Sequence, residues 1–299
     1  MDMIIFGAGA SLGSDTSNTP PLGDGLPDSL IRFSPDVWGR LSTEQKESFR
    51  SDFEQGMQQL SNSNPHMMPS LQRAMAAYFF QFVPTQSNLY RKLSRKIKQS
   101  KWKGALATFN YERLLELSLI QEGLQPVVGS GTNAPDQVEI CLPHGCCHIF
   151  CESVRGMANA ISFGGPNVAT SGSIRAISNP AEFNSRIEND AFPPVMSYFE
   201  PQKRTTSGIN FVTDQRNRYN ELVLGSSEIV IIGLKVRPHD KHIWNSLAKT
   251  QATLVYCSGR EGGSEFQRWA AENRKNKANR TFDGYFDYYF DEICEELDI

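Results

Sequence analysis

Met1-Asp-Met-Ile-Ile-Phe-Gly-Ala-Gly-Ala-Ser11 is the stretch whose reading decides the fold. Met3, Ile4, Ile5 and Phe6 form an unbroken apolar run. Such a run marks a strand buried on both faces, as in the middle of a parallel sheet. It ends abruptly in Gly7-Ala8-Gly9-Ala10-Ser11. Small residues after a buried strand let a backbone pass close to a ligand, and free N–H groups there can hold a phosphate. A dinucleotide fingerprint would add a third glycine and, further on, an acidic residue. Here Leu12-Gly13 follows, and then a polar stretch with two prolines. By itself the loop reads equally as an ordinary tight turn.

The rest of the chain extends the pattern. Lys103-Gly-Ala-Leu-Ala-Thr108 reads as a second buried strand leading into Phe109-Asn110-Tyr111-Glu112, with a helix from 112 to about 122 capped by Gly123. Residues 138–142 form a short strand running into Pro143-His144-Gly145. Glu228-Ile-Val-Ile-Ile-Gly-Leu234 is the clearest buried strand, followed by helix 239–249, strand 253–257 and helix 263–273. Isolated apolar strands alternating with helices predict an α/β fold with a doubly wound parallel sheet. Two departures from strict alternation are expected. A helical insertion covers about 34–101, with helices near 42–60, 70–82 and 87–99, the first opened by a capping-type signal at Ser42. An irregular excursion rich in Gly, Ser, Asn and Pro covers about 156–213. Residues 14–27 read as a polar lid, and 282–297 as a docking helix of alternating aromatics and acids.

Composition limits the partners. The chain has 299 residues, enough for one large α/β domain or two modest ones. A net charge of −3 gives no sign of a general polyanion binder. No apolar run approaches the roughly 20 residues of a membrane helix. With no charged-then-apolar leader, the expected location is the cytoplasm, and the six cysteines are expected to be reduced thiols.

In a doubly wound sheet, ligands sit at the carboxyl ends of the strands. Notable residues fall at four such ends: Gly7 to Ser11, Thr108 to Glu112, His144 and Gly233. Asn110 and Glu112 can reach into the crevice to bond ribose hydroxyls; the plainer reading is that Asn110 caps the following helix. His144 is a candidate base presented by the freedom of Gly145; the plainer reading is a satisfied structural histidine.

Taken together and in order, Gly7-Ala-Gly-Ala-Ser11, Thr108-Phe-Asn-Tyr-Glu112, Pro143-His-Gly145 and Ile231-Ile-Gly-Leu234 resemble the motifs of the sirtuin-like family. The pattern is most similar to the bacterial branch used in anti-phage defence. Asp240, ahead of Ile243-Trp244, fits that branch, as does Pro193-Pro194 with Lys203 downstream. The likeness runs from residue 3 to about 290. It implies a Rossmann-like, sirtuin-type single catalytic domain over 1–299 that takes NAD+ as substrate and cleaves the nicotinamide–ribose bond. By the same resemblance, Gly7, Ala8, Gly9, Ala10 and Ser11 hold the pyrophosphate, and Asn110 orients the nicotinamide ribose or the attacking water. His144 acts as general base, Gly233 lets the backbone approach NAD+, and Thr108, Glu112, Asp240 and Ser258 line the site. Glu112 stands where the family often has Asp.

No metal is expected. Deacylating members of the family carry zinc on two Cys-x-x-Cys pairs. Cys141, Cys146, Cys147 and Cys151 lie near His148 but form no such pair, and they read as buried thiols. The leading expectation is an NAD+ hydrolase that depletes NAD+ in antiviral defence. The alternatives are an NAD-dependent deacylase or ADP-ribosyltransferase, and a module that senses NAD+ or ADP-ribose without turnover. An effector of this type needs restraint, so a homo-oligomer and a regulatory partner, such as a sensor or DNA-translocating ATPase, are expected. The basic helix 87–99 and the acidic aromatic tail are the candidate contact surfaces.

Overall fold

The computed structural model describes all residues except 130, 133, 154–155, 159–160, 162–168, 199–202 and 238. Its strands are β1 (Asp2–Phe6), β2 (Ala105–Thr108), β3 (Gln125–Val128), β4 (Gln137–Cys141), β5 (Ile149–Cys151), β6 (Ile174–Ala176), β7 (Glu228–Ile232), β8 (Thr253–Cys257) and β9 (Asn279–Phe282). Seven of them form one sheet in the order β3-β4-β2-β1-β7-β8-β9. Every pairing in it is parallel. β5 and β6 make a separate antiparallel pair.

The helices are α1 (Ala8–Leu12), α2 (Leu26–Phe33), α3 (Thr43–Ser51), α4 (Phe53–Ser63), α5 (Met68–Phe80), α6 (Leu89–Ser100), α7 (Leu114–Gln121), α8 (Pro180–Asn189), α9 (Ile209–Gly225), α10 (Lys241–Lys249), α11 (Gly259–Asn273) and α12 (Phe290–Glu296). They cover both faces of the sheet. Because side chains alternate along a strand, β1 feeds two cores. Ile4 and Phe6 pack with α2 to α7 and α12, while Met3 and Ile5 pack with α9 to α11. This double burial explains the unbroken apolar run of β1, and the fold is the α/β doubly wound parallel sheet expected of it.

The chain leaves β1 toward β2 on one side and returns to β7 on the other. The crevice between β1 and β7 is therefore the topological switch point, where such sheets bind ligands. Register sharpens this: Phe6 pairs with Thr108 on one side and Ile232 on the other. Gly7, Phe109 and Gly233 consequently leave the sheet at one level.

Several elements differ from expectation. The helix expected over 42–60 is two helices. Ser42 begins the first with a full capping box, but Asp52 is extended (φ −154°, ψ 112°) and its carboxylate accepts from the Gln55 amide to start α4. The excursion over 156–213 is not structureless: β6, α8 and the first turn of α9 lie in it, although 159–160, 162–168 and 199–202 fall outside the described residues. α8 has a plain start signal that composition hid, since Asn179 caps the Glu182 amide and Pro180 follows it. The helix expected over 282–297 is confined to α12, and Phe282 instead ends the strand β9 that precedes it. Short β3 and β9 are sheet edges, with little apolar burial to announce them.

Three cations of the basic helix are engaged within the chain. Arg91 and Arg95 of α6 pair with Glu122 (2.6 and 3.0 Å), and Lys98 donates to the Glu122 carbonyl (2.9 Å). Their charge neutralises the end of α7. The polar stretch after α1 is pinned to the start of α6: Thr85 Oγ1 donates to Asp15 (2.6 Å) and the Leu89 amide to the Ser14 carbonyl (2.7 Å).

Candidate active site at the switch point

The glycine loop is half helix. α1 starts directly after Gly7, and the loop is latched to the end of β7. The Gly7 amide donates to Ile232 O and the Gly9 amide to Gly233 O, each at 2.9 Å. Gly233 has φ +64°, and a Cβ there would stand 2.0 Å from the Ala10 nitrogen. A Cβ on Gly7 would stand 2.5 Å from Gly233 O. These glycines thus serve first to bring two backbones together. Gly233→Ala is expected to cost about 2–4 kcal/mol, from left-handed backbone strain and overpacking. A thermal melt lowered by several degrees checks this, and an unchanged melt contradicts it. With Ala10 donating to Gly7 O (3.0 Å), three amides of the loop are engaged within the protein.

Behind the loop lies a buried polar network. Asn110 Nδ2 donates to Gly7 O (3.0 Å) and to Ser11 Oγ (2.8 Å). Ser11 Oγ donates to Glu112 Oε1 (2.5 Å) and lies 2.9 Å from the Tyr90 hydroxyl. The other Glu112 oxygen accepts from the Leu114 amide and starts α7. Burial raises the pKa of Glu112, and it raises that of Tyr90 further, with the Glu112 charge adding to the effect. Glu112 therefore lies behind Asn110 as its support. Asn110 sits ahead of the α7 cap, Arg113, so it is not the helix cap, and its Oδ1 makes no hydrogen bond among the described residues. Thr108 Oγ1 accepts from the Asn110 amide (3.1 Å).

His144 closes the arrangement. Its Nδ1 lies 3.2 Å from Phe109 O, and its Nε2 lies 2.7 Å from Nε2 of His242, on the first turn of α10. Phe109 meets the ring edge-on at 5.0 Å and Tyr111 stacks at 5.9 Å. The loop that presents His144 is clamped from outside. The Ser197 amide donates to His144 O (2.8 Å), and a Cβ on Gly145 (φ +77°) would meet Val195 O at 1.9 Å. Burial, then the neighbouring His242, Lys203 and Arg216, hold His144 well below its usual pKa, and burial holds His242 at about 3.

A charged cluster borders the two histidines. Lys203 pairs with Glu54 of α4 (2.8 Å), which also binds Arg237 (2.6 Å) and His239 (3.0 Å). Burial works upward on the Glu54 carboxyl, but these cations outweigh it and its pKa is lowered. Asp240 lies on this side, its buried Oδ1 3.9 Å from Lys203 Nζ and without a hydrogen bond among the described residues. Arg216 donates to Pro143 O, Ser197 Oγ and Lys203 O, and has no carboxylate partner among the described residues. Ser258 is one strand further out, at the head of α11 after β8.

The structure thus joins Gly7, Gly9, Ala10, Ser11, Thr108, Asn110, Glu112, His144 and Gly233 in one connected set. Ala8 stands exposed at the head of α1, Asp240 belongs to the charged cluster, and Ser258 is apart. Tyr90 and His242 were missed. Tyr90 lies in a helix that read as merely amphipathic, and His242 follows an apolar strand at no motif spacing.

The cysteines are buried. The donor atoms of Cys146, Cys147 and His148 lie within 4.8 Å of one another, but Cys146 Sγ donates to Tyr111 O (3.3 Å) and His148 Nδ1 lies 3.2 Å from that sulfur. Cys141 is bonded elsewhere, to Gln215 O (3.1 Å).

Two buried histidines, His144 and His148, and the partly buried His242 are held neutral and carry an acid liability. Burial lowers His148 to about 4, alongside His144 and His242. As pH falls through the ordinary value near 6.5, the unfolded chain takes up protons that the native state refuses, so stability present above pH 6.5 is lost toward pH 4. Glu116, raised to about 7 by burial, acts oppositely between pH 7 and its ordinary value of 4.5, offsetting part of the loss. Melting temperature is expected to fall from pH 6.5 to 4, and less steeply in His148→Leu. Parallel curves for the two proteins would contradict this.

No protein-family model matches the chain, and no curated protein matches its sequence. Solved structures do. A mutant Sir2 homologue in complex with ADP-ribose is 12% identical over 99% of this chain and 91% of its own, with a TM-score of 0.49. A Sir2 homologue–NAD complex is 13% identical over 99% and 89%, with a TM-score of 0.45.

Proposed function

We propose that the chain is a sirtuin-like enzyme that binds NAD+ in the β1–β7 crevice and hydrolyses its nicotinamide–ribose bond. The observation that carries the reading is the coupling of Asn110 to His144. Consecutive residues after β2 hold both sides of the crevice: the Phe109 carbonyl fixes His144, and the Asn110 amide fixes Gly7 and Ser11. This leaves the Asn110 carbonyl oxygen and His144 Nε2 as the groups able to act on a ribose and a water. In the reaction the C1′–N bond breaks with its electron pair leaving on nicotinamide, and water oxygen bonds to C1′. The water proton passes to His144 Nε2. The transition state is oxocarbenium-like, so orientation of the ribose and a placed base suffice.

The engaged amides of Gly7, Gly9 and Ala10 redirect the pyrophosphate. Among the described residues the Ala8 N–H has no hydrogen-bond partner and Arg216 has no carboxylate partner, so both can serve an anion. The diphosphate is assigned to these groups rather than to a ring of free loop amides. Extending the reading, the enzyme depletes NAD+ in bacterial antiviral defence and is restrained as a homo-oligomer or by a sensor or ATPase partner.

The test is incubation of purified protein with NAD+ alone and analysis of products. Nicotinamide with ADP-ribose, or with a cyclised form, supports hydrolase-type cleavage. Turnover that requires an acylated peptide assigns the site to a deacylase instead, and binding without turnover assigns it to a sensing module.

A further inference from the structure

The bond between His144 and His242 belongs to none of the sequence motifs, yet it fixes the hydrogens of the site. His144 Nδ1 faces the Phe109 carbonyl, which can only accept, so Nδ1 carries the hydrogen and Nε2 is bare. The contact of 2.7 Å between the two Nε2 atoms holds a single hydrogen, and His242 must supply it. The partners come from opposite sides of the switch point. His144 follows β4 and His242 follows β7, with β2 and β1 between those strands in the sheet. Lys203 and Arg216 flank both rings and favour two neutral imidazoles over a protonated one. His242 also borders a groove of about 390 Å³ between α9 and α10, lined by Asn220, Leu224, Asn245 and Ser246.

We infer that His242 is the positioning partner of His144: it donates Nε2–H to the bare Nε2 of His144 across the crevice, and occupies the place that a substrate hydroxyl must take. The second clause rests on the NAD+ reading; the first does not. A sugar hydroxyl or water reaching His144 Nε2 replaces one donor with another, so the base meets its substrate already in the accepting tautomer.

Long-range proton–nitrogen NMR on 15N-histidine protein tests the pairing without ligand. The expected pattern is a protonated Nδ1 and bare Nε2 on His144, with a protonated Nε2 on His242. A hydrogen on His144 Nε2 would overturn the inference. ADP-ribose then tests displacement: its addition is expected to shift the His242 nitrogens. His242→Leu removes the competing donor and is expected to tighten ADP-ribose binding by about 3- to 10-fold, the scale of one neutral hydrogen bond. His242→Gln keeps an N–H donor and is expected to stay near wild type. Unchanged or weaker binding by folded His242→Leu would sink the displacement. If neither wild type nor variant binds ADP-ribose, the NAD+ reading fails, and the ligand-free nitrogen pattern still decides the pairing. That pattern is read on wild-type protein, so it stands even where the Leu variant does not fold.

Discussion

His144→Ala and Asn110→Ala are each expected to lower NAD+ cleavage by about 10²- to 10⁴-fold, the range of a lost general base or orienting group. In the proposed reaction the two act through different atoms. His144 contributes its bare Nε2, and its loss removes proton transfer. Asn110 contributes Oδ1, which makes no hydrogen bond among the described residues, while its Nδ2 bonds hold Gly7 and Ser11 in place. Asn110→Asp is therefore informative: it keeps an acceptor but lacks the two donors, and it should be nearly as impaired as Asn110→Ala. Release of nicotinamide under saturating NAD+ is the measurement. A fully active His144→Ala protein would remove His144 from the mechanism. Because burial favours the neutral form of His144, the acid limb of kcat/KM is expected well below the ordinary histidine value near 6.5. A limb centred on 6.5 would show that the base is solvated in the working enzyme.

The second large effect is on stability. Glu112 is buried at the centre of the network, accepting from Ser11 Oγ and from the Leu114 amide that begins α7. Glu112→Ala leaves both donors buried without an acceptor and opens a cavity, an expected loss of about 3–5 kcal/mol. Glu112→Gln keeps the volume and one acceptor, and is expected to lose about half as much. Denaturant unfolding of the three proteins checks the order. Activity should follow the same order, because Asn110 is oriented through Ser11, the atom Glu112 binds. An Ala variant as stable as wild type would mean that the carboxyl is not part of the support. A Glu rather than an Asp at position 112 has a physical sense here. The longer side chain reaches Ser11 with one oxygen and the Leu114 amide with the other.

The strands near the sheet centre were legible because double burial leaves no polar alternation. β1, β7 and β8 are apolar runs bounded by turn residues, and their edges differ little from those read off the chain. The edge strands β3 and β9 were not, because one flank faces no strand and their side chains are only partly buried. α8 was lost in a stretch judged by composition, although its Asn-Pro start is a local signal.

The site divides in the same way. Gly7 to Ser11, Asn110, Glu112, His144 and Gly233 could be chosen from the sequence because each follows a strand, and a parallel sheet gathers strand ends on one edge whatever the intervening length. Local chemistry determined that much: which strands are central, which edge gathers the strand ends, and which polar residues stand on it. The partners were decided by tertiary structure alone. That Gly233 packs on Gly9 rather than standing open, that Tyr90 shares Ser11 with Glu112, and that His242 donates to His144 depend on strand order and register. Those arise from burying two faces of one sheet at once. Hydrogen bonds spanning 79 to 103 positions, such as Ser11 to Tyr90, His144 to His242 and Asn110 to Gly7, leave no periodic trace along a chain.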